Sequence, residues 1–412
     1  MFSKIVSVDE LLDKPLTFAL GGPRSGKSTL LERYVVPGAA KAFRDKRRVV
    51  SVVQIRPYWG GAEEARSRMA AALLRGISIY VENLSSGFKT NILKEFYKIL
   101  SSAQASGDAS IQSFKGYFEN YLTDLATKQQ IDPLTWALET FRRLAFTTHS
   151  DPCLLLDDAD FLNTFGIFGD VLHLCKVHQI SVLANARSIC DSRFDSLNPL
   201  TEYTRQAEFV CLDFLPTDET FESLCRTILE EMQDSSDPGV NLTVKKALAD
   251  NTVLNLCIML SSGQIGRFRE TIGFMASKQH DDKLWHIPNR KEIGDFSESV
   301  VTQMLQREES PELKDNLRMW LSNLGPLVRK SMQDGVWSTW LTLPPDMAEH
   351  FTDEQISKTL STIRSGILTW ILHCSSEDRI NVAKQSRFVP SKFKVSPLAA
   401  IANRVSLRKA IE

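Results

Sequence analysis

Several features that define large classes of protein are missing from this sequence of 412 residues. It contains no run of about 18 apolar residues, so we expect no membrane-spanning helix. Lysine and arginine number 49 against 50 aspartates and glutamates, a balance that argues against a surface coated in basic charge. The first residues include acids and lack the apolar core of a secretory signal. We therefore expect a cytoplasmic protein, or a nucleoid or nuclear one if it acts on DNA.

The seven cysteines and seven histidines form no metal-binding or disulfide pattern. No two cysteines have the Cys-x-x-Cys spacing, and no two histidines have the His-x-x-x-His spacing. Most cysteines lie within apolar stretches such as Cys153–Leu156. We therefore expect buried, reduced thiols and no structural zinc site.

Short apolar runs alternate with segments of helical periodicity over the first half of the chain. Such alternation predicts an α/β fold with a parallel sheet covered by helices on both faces. The predicted strands are Leu16–Leu20, Val49–Ile55, Cys153–Leu156, Ile180–Ala184 and Phe209–Phe214.

The chain is too long for one hydrophobic core, since such cores stop growing at roughly 250–300 residues. We place the first domain boundary at the turn and helix cap Pro216–Glu219. The expected domains are an α/β core at 1–215 with a polar helical insert at about 81–147, a helical lid at 216–290, and a mostly helical C-terminal domain at 291–412.

A glycine-rich segment links the first predicted strand to a helix. Its spacing, Gly21-x4-Gly26-Lys27-Ser28, is that of a phosphate-binding loop, in which backbone N–H groups and the start of a helix surround phosphate oxygens. Lys27 is expected to reach the β- and γ-phosphates, and the Ser28 hydroxyl to bind Mg²⁺. We therefore predict ATP and Mg²⁺ as cofactors, with nucleotide contacts from Gly21, Gly22, Pro23, Arg24, Ser25, Gly26, Lys27, Ser28 and Thr29.

Two carboxylates follow the apolar strand that begins at Cys153. At the carboxyl end of a parallel strand, Asp157 is expected to bind Mg²⁺ through water. Asp158 is then expected to orient or polarise the attacking water as a general base. A helix-capping pair of aspartates is the alternative interpretation, and we expect Asp160 to be such a cap.

Polar residues also follow the next strand, which ends near Ala184. Asn185 or Arg187 is expected to touch the γ-phosphate, because that sheet edge faces the nucleotide in open parallel sheets. Ordinary polar loop residues are the alternative. Arg193 and Arg205 are candidates for an arginine that reaches the phosphate of a neighbouring subunit, with surface residues as the alternative.

A third group of candidates lies in the predicted lid. The segment Leu260–Gln264 resembles the signature motif of ABC-type ATPases. It lies far downstream of the acidic strand, so we reject that interpretation. The segment Gly263–Arg269 fits better as the start of a lid helix. Arg267 is expected to face the nucleotide across the cleft, with Arg269 as the alternative.

Together these motifs resemble the AAA+/STAND branch of P-loop ATPases. In that resemblance Gly21–Ser28 corresponds to Walker A, Leu154–Asp158 to Walker B, Asn185–Arg187 to sensor 1 and Gly263–Arg267 to sensor 2. The details are similar to archaeal-ATPase, replication-initiator and transposon target-selector relatives. The lid lacks the Gly-x-Pro of many STAND proteins, and no His-Asp pair of their winged-helix type is visible.

The C-terminal region combines a basic run with a pattern that suits a winged helix. A helix at Phe351–Leu360 and hairpin strands at Gly366–Leu372 and Arg387–Val389 would form it. The basic run is interpreted either as a contact for the phosphate backbone of DNA or as a solvated or protein-docking face. No aspartate or glutamate interrupts the basic run. Its basic residues are Arg379, Lys384, Arg387, Lys392, Lys394, Arg404, Arg408 and Lys409.

The sequence thus predicts an ATP-binding and ATP-hydrolysing switch that assembles with itself or with an effector protein, and that acts on DNA in one version. Two alternatives remain open at this stage. One is a nucleotide-binding scaffold without turnover, and the other is a P-loop small-molecule kinase.

Overall fold

The computed structural model describes residues 6–22, 24–42, 47–82, 84, 86–101, 132–186, 203, 206–279, 285–307, 341–342, 372–384 and 392–402. In these ranges no helix is both long enough and apolar enough to cross a membrane.

The first half of the chain alternates strands and helices, as its apolar pattern predicts. Its elements are α1 (Val8–Leu12), β1 (Leu16–Leu20), α2 (Lys27–Leu30), a π-helical turn (Leu31–Val35), α3 (Val36–Ala42), β2 (Arg48–Gln54), α4 (Ala62–Glu82), α5 (Ser86–Ser101), α6 (Pro133–Thr147), β3 (Asp151–Asp157), α7 (Phe161–Thr164), α8 (Phe168–Val177), β4 (Ser181–Ala186) and β5 (Glu208–Cys211).

The five strands form one parallel sheet in the order β2-β3-β4-β1-β5. β4 lies between β1 and β3, and the register pairs Ala19 with Asn185 and Leu156 with Ala184. Strand β1 is buried along its whole length, as expected of a strand covered on both faces. The predicted α/β class with a parallel-sheet, P-loop-type core is confirmed.

Helices α4 and α6 cover one face of this sheet next to β2 and β3. Helix α6 begins at the N-cap Asp132, whose carboxylate accepts the Thr135 N–H at 2.9 Å. Its apolar residues recur at helical spacing and are buried, including Leu134, Leu138 and Phe141. The end of the predicted insert is therefore packed into the core layer, whereas 102–131 lie outside the described residues.

The second half of the chain begins with four helices that pack on one another. They are α9 (Glu219–Met232), α10 (Pro238–Ala249), α11 (Asn251–Ser261) and α12 (Ile265–Ser277). Strand β5 ends at Cys211, three residues before the predicted end, and the Phe214 N–H bonds to the Gly263 carbonyl in the turn between α11 and α12.

The described C-terminal elements add a small antiparallel sheet and three helices. The strands pair in the order β6-β8-β7, and α15 packs on both α11 and α13. The elements are α13 (Arg290–Arg307), β6 (Leu341–Thr342), β7 (Leu372–His373), α14 (Ser376–Lys384), β8 (Lys392–Val395) and α15 (Pro397–Ala402).

The winged-helix prediction concerns segments that fall mostly outside these ranges. The predicted helix Phe351–Leu360, the strand Gly366–Leu372 except for its last residue, and Arg387–Val389 are not among the described residues.

Candidate functional site

The loop between β1 and α2 is fixed at its start by two backbone hydrogen bonds. The Gly21 N–H donates to the Ala186 carbonyl of β4 at 3.2 Å. The Gly22 N–H donates to Oδ1 of Asp213 at 2.7 Å. The loop then closes on itself, since the Ser25 N–H donates to the Gly22 carbonyl at 3.3 Å. The first two amides of the loop thus bind the sheet edge.

Two glycines of the loop meet a steric requirement. Gly26 has φ 97°, in the left-handed region that glycine adopts at little cost, and it is the N-cap of α2. A Cβ on Gly21 would lie 2.8 Å from Cβ of Ser25, so a larger residue there would force the loop to shift. Glycine at both positions therefore suits the geometry of this tight loop.

The Lys27 ammonium lies over the start of the loop. Its Nζ donates to the Gly21 carbonyl at 2.7 Å and to the Gly22 carbonyl at 3.0 Å, and the residue is only 8% exposed. The N–H groups of the first turn of a helix have no carbonyl one turn earlier to bind, and the helix dipole adds positive charge there. A buried cation and a helix start together make an anion-binding cradle.

The predicted polar residues of β3 and β4 lie next to each other on this sheet edge. Asn185 Nδ2 donates to Oδ1 of Asp157 at 3.1 Å, and both residues are almost fully buried. No hydrogen-bond partner for Asn185 Oδ1 occurs among the described residues. A buried polar atom without a partner costs free energy, and such atoms cluster at ligand sites.

Asp158 follows directly and has a strained backbone. Its φ is 56°, in the left-handed region that non-glycine residues seldom adopt. The neighbouring Ala159 N–H donates to the Asn185 carbonyl at 2.8 Å, which fixes the turn against β4. Strain of this kind persists where surrounding structure imposes it, commonly at active sites. Asp160, predicted as a cap, is the N-cap residue of α7, but its side chain makes no capping hydrogen bond.

The oxygen donors at this edge suit Mg²⁺ chemically. Magnesium binds a few carboxylate or hydroxyl oxygens and keeps several waters. Asp157 provides a buried carboxylate, and the half-buried Ser28 provides a hydroxyl in the first turn of α2. Within the described ranges no group of three or more His, Cys, Asp or Glu residues could hold a metal by itself. This donor set is therefore one that would hold a metal together with a phosphate ligand.

Helix α12, which lies in the predicted lid, contacts the loop directly. The Gly266 N–H donates to the Arg24 carbonyl at 2.8 Å. Glu270 of the same helix binds Arg24 through one oxygen at 3.0 Å and Arg267 through the other at 3.2 Å. Arg267 is almost fully buried, whereas Arg269, its alternative, pairs with Glu231 at 3.2 Å.

Two residues of this site were missed by sequence reasoning. Asp213 follows β5 at the same edge, and its second oxygen accepts a hydrogen bond from Nε of Arg379 at 2.9 Å. A signal existed for Asp213, because it stands at the exit of an apolar strand like Asp157 and Asn185. No local pattern marks Arg379 as its partner, since 166 positions separate the two residues.

The interpretation of Arg379 as part of an exposed basic run is wrong. Its side chain is only 2% exposed and forms the ion pair with Asp213, so it is not available to the phosphate backbone of DNA. Lys384 ends α14, and Lys392 and Lys394 lie on β8. The remaining basic residues of the run, Arg387, Arg404, Arg408 and Lys409, lie outside the described residues.

Several other predicted site residues also lie outside the described ranges, namely Pro23, Arg187, Arg193 and Arg205. The structure brings the rest of the loop together with Asp157, Asp158 and Asn185 at one sheet edge. Among the described cysteines, Cys153, Cys175, Cys225 and Cys257 are buried as predicted, whereas Cys211 and Cys374 are only half-buried.

Comparisons with known proteins add a loose structural likeness. No family model matches the sequence, and no curated protein matches it significantly. The chain is similar to the Aeropyrum pernix ORC2 protein solved in ADPNP–ADP complexes. Identity is 12%, the match covers 97% of this chain and 88% of that one, and the TM-score is 0.36. The fold assignment therefore rests on the sheet and the loop themselves.

Proposed function

We propose that this protein is an ATP-binding, Mg²⁺-dependent switch of the AAA+ type. The observation that carries the proposal is the meeting of the glycine loop and its buried Lys27 with Asp157 and Asn185 on one sheet edge. This is the set of charges that a triphosphate with its metal requires. The order of the motifs along the chain supports the AAA+ branch.

The chain's own residues divide the binding work. The loop amides other than those of Gly21, Gly22 and Ser25, together with the start of α2, would take up phosphate oxygens, and Lys27 would neutralise charge on the outer phosphates. A bound Mg²⁺ would be held by Ser28 and, through water, by Asp157, and would offset phosphate charge. Asn185 orients the Asp157 carboxylate by its hydrogen bond.

We further propose that the protein hydrolyses the bound ATP. Asp158 would hold the attacking water and take up its proton, in a position that its left-handed backbone fixes. Asn185 and Arg187 would contact the γ-phosphate, and Arg193 would serve a neighbouring subunit. Arg267 would act from the lid, where it shares Glu270 with Arg24 of the loop.

The lid contacts support the switch. Helix α12 is joined to the loop by the Gly266–Arg24 hydrogen bond and by the ion pair of Glu270 with Arg24. A shift of the loop on binding phosphate would therefore move the lid helix as well. A ligand shifts such an equilibrium only through unequal contacts with its two states. Three kinds of partner remain predictions. They are a second copy of this chain, an effector protein, and DNA bound through Lys392 and Lys394.

Replacing Lys27 tests nucleotide binding. We expect Lys27→Ala to weaken binding of a fluorescent ATP analogue at least about 100-fold, because a buried charge opposite phosphate is lost. Lys41→Ala is the matched control, since Lys41 is an exposed lysine of α3 in the same helical segment. Equal affinity of parent and Lys27→Ala would refute the proposal.

A second pair of variants tests turnover. Asp158→Asn is expected to lower the rate of phosphate release by about 10²–10⁴-fold with binding retained, as for loss of a general base. Asp160→Asn, two residues away, is the control and should leave the rate unchanged. A parent that binds ATP without turnover, or a rate unaffected by Asp158→Asn, would favour the scaffold alternative.

A further inference from the structure

One chain of contacts joins the C-terminal segment to the glycine loop. Oδ1 of Asp213 accepts the Gly22 N–H at 2.7 Å, and Oδ2 accepts from Nε of Arg379 at 2.9 Å. Asp213 lies just after β5, whereas Arg379 lies on α14 near the end of the chain. A single carboxylate therefore binds a loop amide with one oxygen and a C-terminal guanidinium with the other.

The ion pair of Asp213 and Arg379 is buried, so its charges act on the neighbouring loop more strongly than surface charges would. The side chain of Asp213 is 9% exposed and that of Arg379 is 2% exposed, so water screens their charges poorly. Burial works against the charge of Arg379, yet the adjacent Asp213 carboxylate holds the pKa of Arg379 above its ordinary value. The guanidinium therefore stays charged and offsets the carboxylate beside the loop.

The thiols beside the pair do not add charge to it. Burial raises the pKa of Cys211 to about 12 and that of Cys374 to about 12. Both thiols are thus protonated near neutral pH. The electrostatic effect of this region on the loop is set by the balance between the carboxylate and the guanidinium.

Arg379 is held in place by the start of its own helix. The Arg379 N–H donates to the Ser375 carbonyl at 2.8 Å, and the Asp378 N–H donates to Oγ of Ser375 at 3.0 Å. Helix α14 contacts β5, next to Asp213. The guanidinium reaches the carboxylate only while this C-terminal helix is docked on the core.

We propose that Asp213 and Arg379 are positioning residues for the phosphate loop, and that docking of the C-terminal segment thereby sets the affinity for nucleotide. The proposal rests on the proposed function of the loop. Asp213 turns the Gly22 amide toward β5, which leaves the later amides of the loop to face the anion. Arg379 cancels the charge of Asp213, which would otherwise repel a triphosphate bound at the loop.

Neutral variants of the full-length chain test the role of charge. We expect Arg379→Gln to weaken ATP binding by about tenfold, because it leaves a buried carboxylate uncompensated beside the loop. The double variant Asp213→Asn with Arg379→Gln should return to within about threefold of the parent, since the asparagine oxygen still accepts the Gly22 N–H without charge. Fluorescence titration with the same ATP analogue measures all affinities.

Two outcomes overturn the proposal. In the first, Arg379→Gln binds ATP as tightly as the parent. In the second, the double variant is as weak as Arg379→Gln, which would make the loss a consequence of disturbed packing. The proposed function fails separately, if the parent itself does not bind or if Lys27→Ala binds equally well.

A second comparison applies if Arg379→Gln does not fold. Asp213→Asn alone leaves Arg379 uncompensated near the loop, so it should bind ATP severalfold more tightly than the double variant. Equal affinities of these two variants would also overturn the proposal. Arg48→Gln is the control for the loss of a buried arginine, and this variant should bind ATP with the same affinity as the parent.

Discussion

Two buried arginines hold the opposite edges of the sheet, and they differ in what lies beyond their carboxylate partners. Arg48, at the amino end of β2, is 1% exposed and binds Asp9 at 2.7 Å together with Asp13, both next to or within α1. Arg379 binds Asp213 at the carboxyl edge. The chemistry is the same, but only Asp213 passes the contact on to a loop amide.

The two ion pairs differ in their position in the sheet, and we expect their roles to differ accordingly. In a parallel sheet, ligands bind beyond the carboxyl ends of the strands, because the loops there follow the strands into helix starts. Arg48 fastens α1 to the sheet, and its carboxylate partners lead to no loop of the site. We therefore expect substitutions at the two edges to separate stability from binding.

The largest expected effect on stability is at the amino edge. Arg48→Gln removes a buried side chain and its hydrogen bonds to Asp9 and Asp13, whose carboxylates remain in contact with water, and should lower the free energy of unfolding by about 2–4 kcal/mol. Urea denaturation measures the loss. ATP affinity, measured at a temperature where the variant is folded, should not change, and a parallel fall in affinity would break the contrast between the edges.

An intermediate effect is expected where the lid meets the loop. A Cβ on Gly266 would lie 2.9 Å from the Arg24 carbonyl oxygen, so Gly266→Ala forces the loop or the lid to move. Overpacking of this kind costs about 1–3 kcal/mol. We expect ATP affinity to fall roughly tenfold, which corresponds to a loss of about 1.4 kcal/mol of binding free energy.

The same helix supplies the control for that substitution. A Cβ on Gly273 would meet nothing within 4 Å, so Gly273→Ala should stabilise α12 by about 0.5–1 kcal/mol. Its ATP affinity should equal that of the parent. If both alanine variants lose affinity equally, the effect arises from the helix as a whole and not from its contact with the loop.

The smallest effect is expected on the face of the sheet, away from either edge. Asp132 caps α6 and binds Arg66 of α4 at 2.9 Å. Burial raises the pKa of Asp132, but hydrogen bonds from Arg66 and Thr135 outweigh it and hold the pKa below its ordinary value. The pair therefore stabilises the fold above the ordinary pKa of aspartate, and this contribution disappears as the pH falls through the lowered value.

A pH series of unfolding measurements checks this direction. Asp132→Asn keeps a capping oxygen and loses the ion pair, so it should cost at most about 1 kcal/mol at pH 7. The difference from the parent should shrink as the solution is acidified below about pH 4. A difference that stays constant into acid would assign the effect to packing.

The sheet was predictable from sequence because strands buried on both faces are continuous apolar runs. The rule that polar residues at strand ends share an edge also placed Asp157 and Asn185 together, as their hydrogen bond shows. Asp213 escaped the same rule because the apolar pattern extended the fifth strand to Phe214. The observed strand ends at Cys211, so Asp213 is an edge residue.

The two buried arginines were not predictable for a different reason. Arg48 ends a basic turn and Arg379 begins a basic run, and such runs are usually solvated. Their burial depends on carboxylates supplied by the folded chain, one of them 166 positions away. Periodicity and spacing describe neighbours along the chain, so they carry no signal for such a pairing.

Glu270 gives the lid and the loop a common counterion. One of its oxygens holds Arg24 and the other holds Arg267, at 3.0 and 3.2 Å. If the loop binds an anion as proposed, an arginine drawn toward that anion would leave Glu270 to the other arginine. The loop and helix α12 would then be coupled through an exchange of ion-pair partners.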